Sequence, residues 1–146
     1  MADPGERLEA MVAALKQRGL RITPQRLAVL AILAQSRSHP SVEEIHRRVL
    51  SQFPTTSLAT IYKTINLLKE LGEVLELGFS DWGSRYDGRH PQPHPHVICT
   101  RCGAIADPDY ADMPQMAREM AVKSGYHITS HRLDFFGLCP ACRETA

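Results

Sequence analysis

Apolar residues recur at helical spacing through the first half of the chain, and the pattern changes after residue 72. Leu8, Met11, Val12 and Leu15 stand at i, i+3, i+4 and i+7, one face of an amphipathic helix. A second helix opens with Thr23 as N-cap and Pro24 at its first position, with Leu27, Leu30, Ala31 and Ala34 as its apolar face. A third starts at the capping box Ser41 to Glu44 and buries Ile45 and Val49. A fourth is capped by Ser57, carries Ile61, Ile65 and Leu68 on one face, and stops at Gly72.

Strand-like residues follow from Val74 to Phe79, then a turn at Ser80–Ser84 and a short return at Arg85-Tyr86. Residues 88–95 hold three prolines in five positions, a stiff extended connector. Beyond it the pattern predicts a strand into Cys99, a turn at Gly103 and a strand over Ala104-Ile105-Ala106. A helix with Met113, Met116, Ala117 and Met120 on one face ends at Gly125, and an extended run covers Tyr126 to Leu138. The methionines read as core or subunit interface rather than as a cofactor box. The fold class expected is α+β. A winged helix-turn-helix over residues 1–87 comes first, then a connector over 88–95 and a small α+β domain over 96–146.

Composition changes this picture little. The 146 residues are ordinary for a globular protein, with a net charge of +1. That charge is unevenly spread. Residues 10–69 hold Lys16, Arg18, Arg21, Arg26, Arg37, Arg47, Arg48, Lys63 and Lys69 against Glu43 and Glu44, whereas residues 70–87 hold five acids and Arg85. The basic block is either a footprint for a polyanion or a set of solvated helix faces. The opening residues lack the basic and apolar regions of a signal peptide, and no apolar stretch would span a membrane. A cytoplasmic location with no membrane partner is expected.

The strongest chemical signal is the cysteine spacing. All four cysteines fall in two Cys-x-x-Cys pairs, Cys99/Cys102 and Cys139/Cys142, with 36 residues between them. A closed tetrahedral Zn(2+) site is the leading reading; two local disulfides and a redox Cys-x-x-Cys are the alternatives. A reducing compartment favours metal over disulfides. His94 and His96 precede the first pair at i, i+2 on an extended segment, so both face one side. With carboxylates they suit a harder metal than zinc.

Three segments together resemble the ferric uptake regulator family. They are Gly19-Leu20-Arg21-Ile22-Thr23-Pro24-Gln25-Arg26, then Ser57-Leu58-Ala59-Thr60-Ile61-Tyr62-Lys63-Thr64, and His94-Pro95-His96-Val97-Ile98-Cys99-Thr100-Arg101-Cys102-Gly103. The resemblance runs from about residue 8 to 143. It implies a homodimeric, metal-responsive repressor of palindromic operator DNA, with residues 96–146 as the dimerisation and zinc-binding domain. Within the family the chain is most similar to the peroxide-sensing branch, PerR.

The resemblance to that branch implies that His39, Asp87, His94, His96 and Asp107 hold a regulatory Fe(2+) or Mn(2+), while Cys99, Cys102, Cys139 and Cys142 hold structural zinc. It implies that His39 or His94 is oxidised when iron meets peroxide, which ends repression. It places Arg21, Arg26, Ser57, Thr60, Tyr62 and Lys63 at the DNA. The family's second metal site looks dismantled, because Pro93, Pro95 and Pro114 occupy three of its ligand positions and only His131 remains. Lys63 stands where the family separates peroxide-type from iron-type operators, so the operator class stays open.

Taken singly, each residue has a blander reading. His39 is a loop histidine beside a proline, Asp87 a turn residue and Asp107 a strand terminator. His90 reads as solvated, His46 as a polar-face residue without function, and Trp82 as a wing-tip residue that packs locally. The alternative function within the family is an iron-responsive repressor without peroxide sensing. A zinc-ribbon enzyme or thiol oxidoreductase is a further alternative, but no nucleophile–base pair or phosphate-cradling glycine loop supports an enzyme.

Overall fold

The computed structural model describes residues 3–79 and 83–145, and Trp82 and the tip of the predicted wing lie outside them. The chain forms two compact units, Met1–Pro91 and Gln92–Ala146.

In the first unit, helices α1 (Pro4–Gln17), α2 (Pro24–Gln35), α3 (Val42–Leu50) and α4 (Leu58–Glu70) precede an antiparallel hairpin, β1 (Leu75–Phe79) and β2 (Gly83–Asp87). This is a winged helix. The hydroxyls of Thr23, Ser41 and Ser57 each accept a backbone N–H at 3.2 Å from Arg26, Glu44 and Thr60, so the caps fall where the sequence places them. Each such cap stabilises its helix by about 1 kcal/mol. The hairpin pairs Leu75 with Asp87 and Leu77 with Arg85, so β2 is three residues longer than the two-residue return expected.

One core fills this unit, built from Met11, Leu15, Val29, Leu30, Leu33, Val42, Ile45, Val49, Ile61, Ile65, Leu68, Val74 and Tyr86. The face of α2 differs from expectation. Val29, Leu30, Leu33 and Ala34 are buried, while Leu27 is 41% exposed. Residues 27–34 are apolar throughout, so periodicity alone could not choose which stripe turns inward.

The second unit contains a three-stranded sheet in the order β4 (Ile105–Ala106), β3 (His96–Cys99), β5 (Asp134–Gly137). β3 and β4 are antiparallel, while β3 and β5 are parallel and joined through helix α5 (Met113–Ser124). Only Asp134–Gly137 of the long extended run pairs as a strand. A short helix not foreseen, α6 (Pro140–Glu144), follows. Its N-cap is Cys139 and its first residue is Pro140, so a Cys-Pro step plays the part usually taken by Ser-Pro or Asp-Pro.

The first unit closes on Gly88, just after β2. A Cβ there would lie 2.7 Å from Leu33 Cβ and 2.8 Å from Met11 Cε. The chain passes so close to α1 and α2 that no side chain fits. Gly88→Ala is therefore expected to lower unfolding stability by about 1–3 kcal/mol, as overpacking does. Urea denaturation of the variant measures this, and an unchanged midpoint would show that the core opens freely at this point.

Candidate metal centres and nucleic-acid face

The candidate metal donors fall into a thiol set and two imidazole–carboxylate groups, one in each unit, and five of the six candidate DNA residues share one polar surface. The thiol set is built by the parallel register of the second unit. Cys99 pairs with Gly137, and the Thr100 N–H donates to the Gly137 carbonyl at 2.8 Å, which sets Cys139 beside the first turn. That turn is closed by Gly103, whose φ of 79° suits glycine and whose N–H donates to the Cys99 carbonyl at 3.0 Å. The two turns use the same bond: the Cys102 N–H points at Cys99 Sγ (3.5 Å), and the Cys142 N–H at Cys139 Sγ (3.4 Å).

The four sulfurs lie within 4.8 Å of one another, and Cys102 Sγ is 3.8 Å from Cys139 Sγ, across the two turns. A tetrahedron with zinc–sulfur bonds of about 2.3 Å has an edge of about 3.8 Å. All four cysteines are free thiols. Their electrostatics also fit a divalent ion. The Cys102 N–H, and then that of Cys139, bring the Cys99 thiol down to about 6. The Cys139 side chain, then burial and the other thiols, push Cys142 up to about 12. The opposite directions of these two shifts are what neighbouring thiols competing for negative charge produce.

The first unit brings His39 and Asp87 together, both 3% exposed, with His39 Nε2 3.4 Å from Asp87 Oδ2. Their loops are fastened by the wing. Arg85 donates to the carbonyls of Ser38 and His39, and the Tyr86 N–H donates to Pro40 at 3.0 Å. His39 has a φ of 55°, the sole positive value outside glycine among the described residues. Such a backbone costs on the order of 1–3 kcal/mol and persists only where the surrounding bonds hold it. Asp87 Oδ1 accepts the N–H groups of Arg89 (3.0 Å) and His90 (2.9 Å), which leaves Oδ2 turned to His39.

The second unit brings His94, His96 and Asp107 together. Asp107 Oδ1 lies 3.8 Å from His94 Nε2 and 3.4 Å from His96 Nε2, and the two rings are 4.4 Å apart. His94 Nδ1–H donates to the Gln92 carbonyl at 2.8 Å, which sets Nε2 on the side of Asp107. His96 is 1% exposed, and its Nδ1 faces Asp134 Oδ1 at 3.8 Å. Asp134 was not foreseen. It reaches His96 only through the β3–β5 pairing, which no local pattern reveals. Each set combines imidazole and carboxylate with no thiol, a donor chemistry that fits Fe(II) or Mn(II).

The remaining histidines are accounted for differently. His46 Nε2–H donates to the Thr56 carbonyl at 2.8 Å, a bond across to the turn before α4. His90 is half-buried rather than solvated. His127 is exposed, and His131 lines a groove with Pro93 and Tyr126.

Arg21, Arg26, Ser57, Thr60 and Lys63 converge on one groove of about 630 Å³, between the start of α2 and the start of α4. Two helix N-termini and three cations point there, a surface suited to phosphate. Arg26 donates to the Arg21 carbonyl at 2.9 Å, and Ser57 bonds Thr60 Oγ1 at 3.0 Å. Tyr62 stands on the exposed face of α4, 43% exposed. Among the described residues no helix is long and apolar enough to cross a membrane.

Residues 17–136 match the ferric uptake regulator family. The chain belongs to that family. A peroxide-responsive repressor, PerR, of Staphylococcus aureus is 38% identical over 137 residues, covering 94% of this chain and 92% of the relative. The ferric uptake regulator Fur of Helicobacter pylori, described as having three functional metal-binding sites, superposes with a TM-score of 0.79 at 27% identity. That match covers 97% of this chain and 95% of the other. A zinc uptake regulator solved with zinc and DNA superposes with a TM-score of 0.71 at 25% identity, covering 99% and 98%. The fold, the thiol set and the imidazole–carboxylate groups are those of a metal-dependent repressor of this family.

Proposed function

We propose that the chain is a metal-dependent, peroxide-responsive repressor that binds palindromic operator DNA as a cytoplasmic homodimer and is not an enzyme. The observation carrying this reading is the thiol-free donor chemistry. Three imidazoles and two carboxylates, split between the two units, stand apart from a separate set of four thiols. Cys99, Cys102, Cys139 and Cys142 hold one structural Zn(2+). His39, Asp87, His94, His96 and Asp107 hold Fe(2+) or Mn(2+). An ion taking donors from both units ties them in one orientation and so sets the spacing of two recognition helices. DNA affinity then depends on metal because one conformer is stabilised over others.

The second unit supplies the dimer contact. Val97, Tyr110, Met116, Met120, Phe135 and Phe136 are exposed there, six large side chains of the kind a subunit contact covers. The first unit supplies the DNA contact, with α4 in the major groove. Tyr62 and Lys63 read base edges, Ser57 and Thr60 lie near the backbone, and Arg21 and Arg26 meet phosphates.

When bound there, iron would supply the redox chemistry that opens the O–O bond of peroxide, which manganese does not readily do. His39 or His94 would take up one peroxide oxygen, the ring giving two electrons and the other oxygen leaving as water, so that 2-oxo-histidine forms. An oxidised ring is a poor donor, so its unit lets go and repression ends.

Three outcomes test the reading. Native mass spectrometry should find one zinc per chain, and Cys139→Ser should lose it and the dimer with it, since structural zinc contributes on the order of 10–16 kcal/mol in small domains. A stable, zinc-free dimer with full DNA affinity would remove the assignment. In operator titrations, Arg26→Ala should weaken binding to all sequences and reduce the salt slope by about 1, while Lys63→Ala should alter sequence preference. Equal losses on every operator variant would demote Lys63 to a backbone contact. After mild peroxide, a mass increase of one oxygen should appear on peptides holding His39 or His94, in the iron form and not the manganese form. Unoxidised histidines with undiminished operator binding would point instead to an iron-responsive repressor without peroxide sensing.

A further inference from the structure

We propose that Arg7 is a positioning residue for the regulatory metal, acting through the peptide that follows Gly88. The inference rests on the reading of Asp87 as a ligand. Arg7 lies on the inward face of α1 with Met11 and Leu15, and it is 9% exposed. A guanidinium in such a place needs partners, because an unpaired buried cation is costly. Arg7 has three. Its Nε donates to the Gly88 carbonyl at 2.8 Å, its Nη2 to the Glu73 carbonyl at 3.0 Å, and its Nη1 lies 3.6 Å from Glu73 Oε1.

The Gly88 carbonyl and the Arg89 N–H are two ends of one planar peptide. Arg7 holds the oxygen end. The nitrogen end donates to Asp87 Oδ1 at 3.0 Å. Rotation of this peptide would break both bonds, so Arg7 and the Asp87 carboxylate constrain each other through a rigid plane. The chain also runs so close to Leu33 and Met11 at Gly88 that a Cβ there would not fit. With Oδ1 held in this way, Oδ2 stays turned to His39 at 3.4 Å. A planar, forked cation suits the task because one side chain must serve two carbonyls at fixed angles. Groups that orient a ligand in this manner commonly change metal affinity by about 10–100-fold when removed.

The test uses the full-length, zinc-loaded protein. Mn(II) affinity is measured by titration calorimetry, and the Co(II) absorption spectrum reports ligand geometry. Arg7→Met keeps the apolar stem and removes the donors. It should weaken Mn(II) by about tenfold or more and alter the Co(II) bands, with zinc content still one per chain. Arg7→Lys should fall between Arg7→Met and the parent, since a point donor reaches one carbonyl. Glu73→Gln keeps both main-chain acceptors and should bind Mn(II) like the parent. Should Arg7→Met fail to fold, the other two decide: a weakened Arg7→Lys beside a normal Glu73→Gln upholds the role, and parental affinity in both overturns it. A folded Arg7→Met that is less stable but binds Mn(II) and Co(II) normally also overturns it. Asp87→Ala separates the two levels. If it binds Mn(II) like the parent, the reading of Asp87 as a ligand fails; if it loses Mn(II) while Arg7→Met does not, only the role of Arg7 fails.

Discussion

The parallel pairing of β3 with β5 is the constraint on which the second unit depends. Thirty-six residues separate the two thiol pairs in sequence, and loop closure over that distance is entropically costly without a tether. Pairing Cys99 with Gly137 supplies one, and places the two turns so that sulfurs from both meet. The same register sets His96 opposite Asp134. One ladder thus fixes the thiol set at its far end and an imidazole at its near end, only three residues apart on β3. A slip of one residue would send His96 to the other face and part the thiols together. The two metal chemistries stay distinct because donor type separates them, even though a single short strand bears both.

In the first unit the corresponding role falls to the end of β2. Arg85, Tyr86, Asp87 and Gly88 form a continuous run in which each residue does a different job. Arg85 and the Tyr86 N–H hold the His39 loop, Asp87 faces His39, and Gly88 lets the chain pass against α1 and α2. Tyr86 itself joins the core, its hydroxyl pushed up to about 12 by burial and then by Glu76 across the hairpin. His39 and Asp87 are therefore placed by the helix core, and their geometry inherits its rigidity.

Much of this was readable from sequence, for reasons that differ from element to element. The caps at Thr23, Ser41 and Ser57 are local chemistry and fall where the residues predict. The thiol pairs are legible because metal geometry demands a tight turn, and a tight turn demands a fixed spacing. His39 and Asp87 were not legible from their own surroundings. Each looks like an ordinary loop or turn residue, and only the resemblance joined them to the other donors. Asp134, Arg7 and the bond from His46 to Thr56 were invisible, because their partners are 38, 66 to 81 and 10 residues away and are met only after folding. The stripe of α2 was misjudged for the opposite reason: an all-apolar segment offers several equivalent faces, and tertiary packing chose among them.

The clamp from Arg85 to the His39 loop has a mechanical consequence. Arg85 is part of the hairpin, and its guanidinium grips the carbonyls of Ser38 and His39, while the neighbouring N–H grips Pro40. Loop and hairpin are thereby one body, spliced at three successive residues. Any force on the His39 ring is delivered to β2 as well as to the α2–α3 connection.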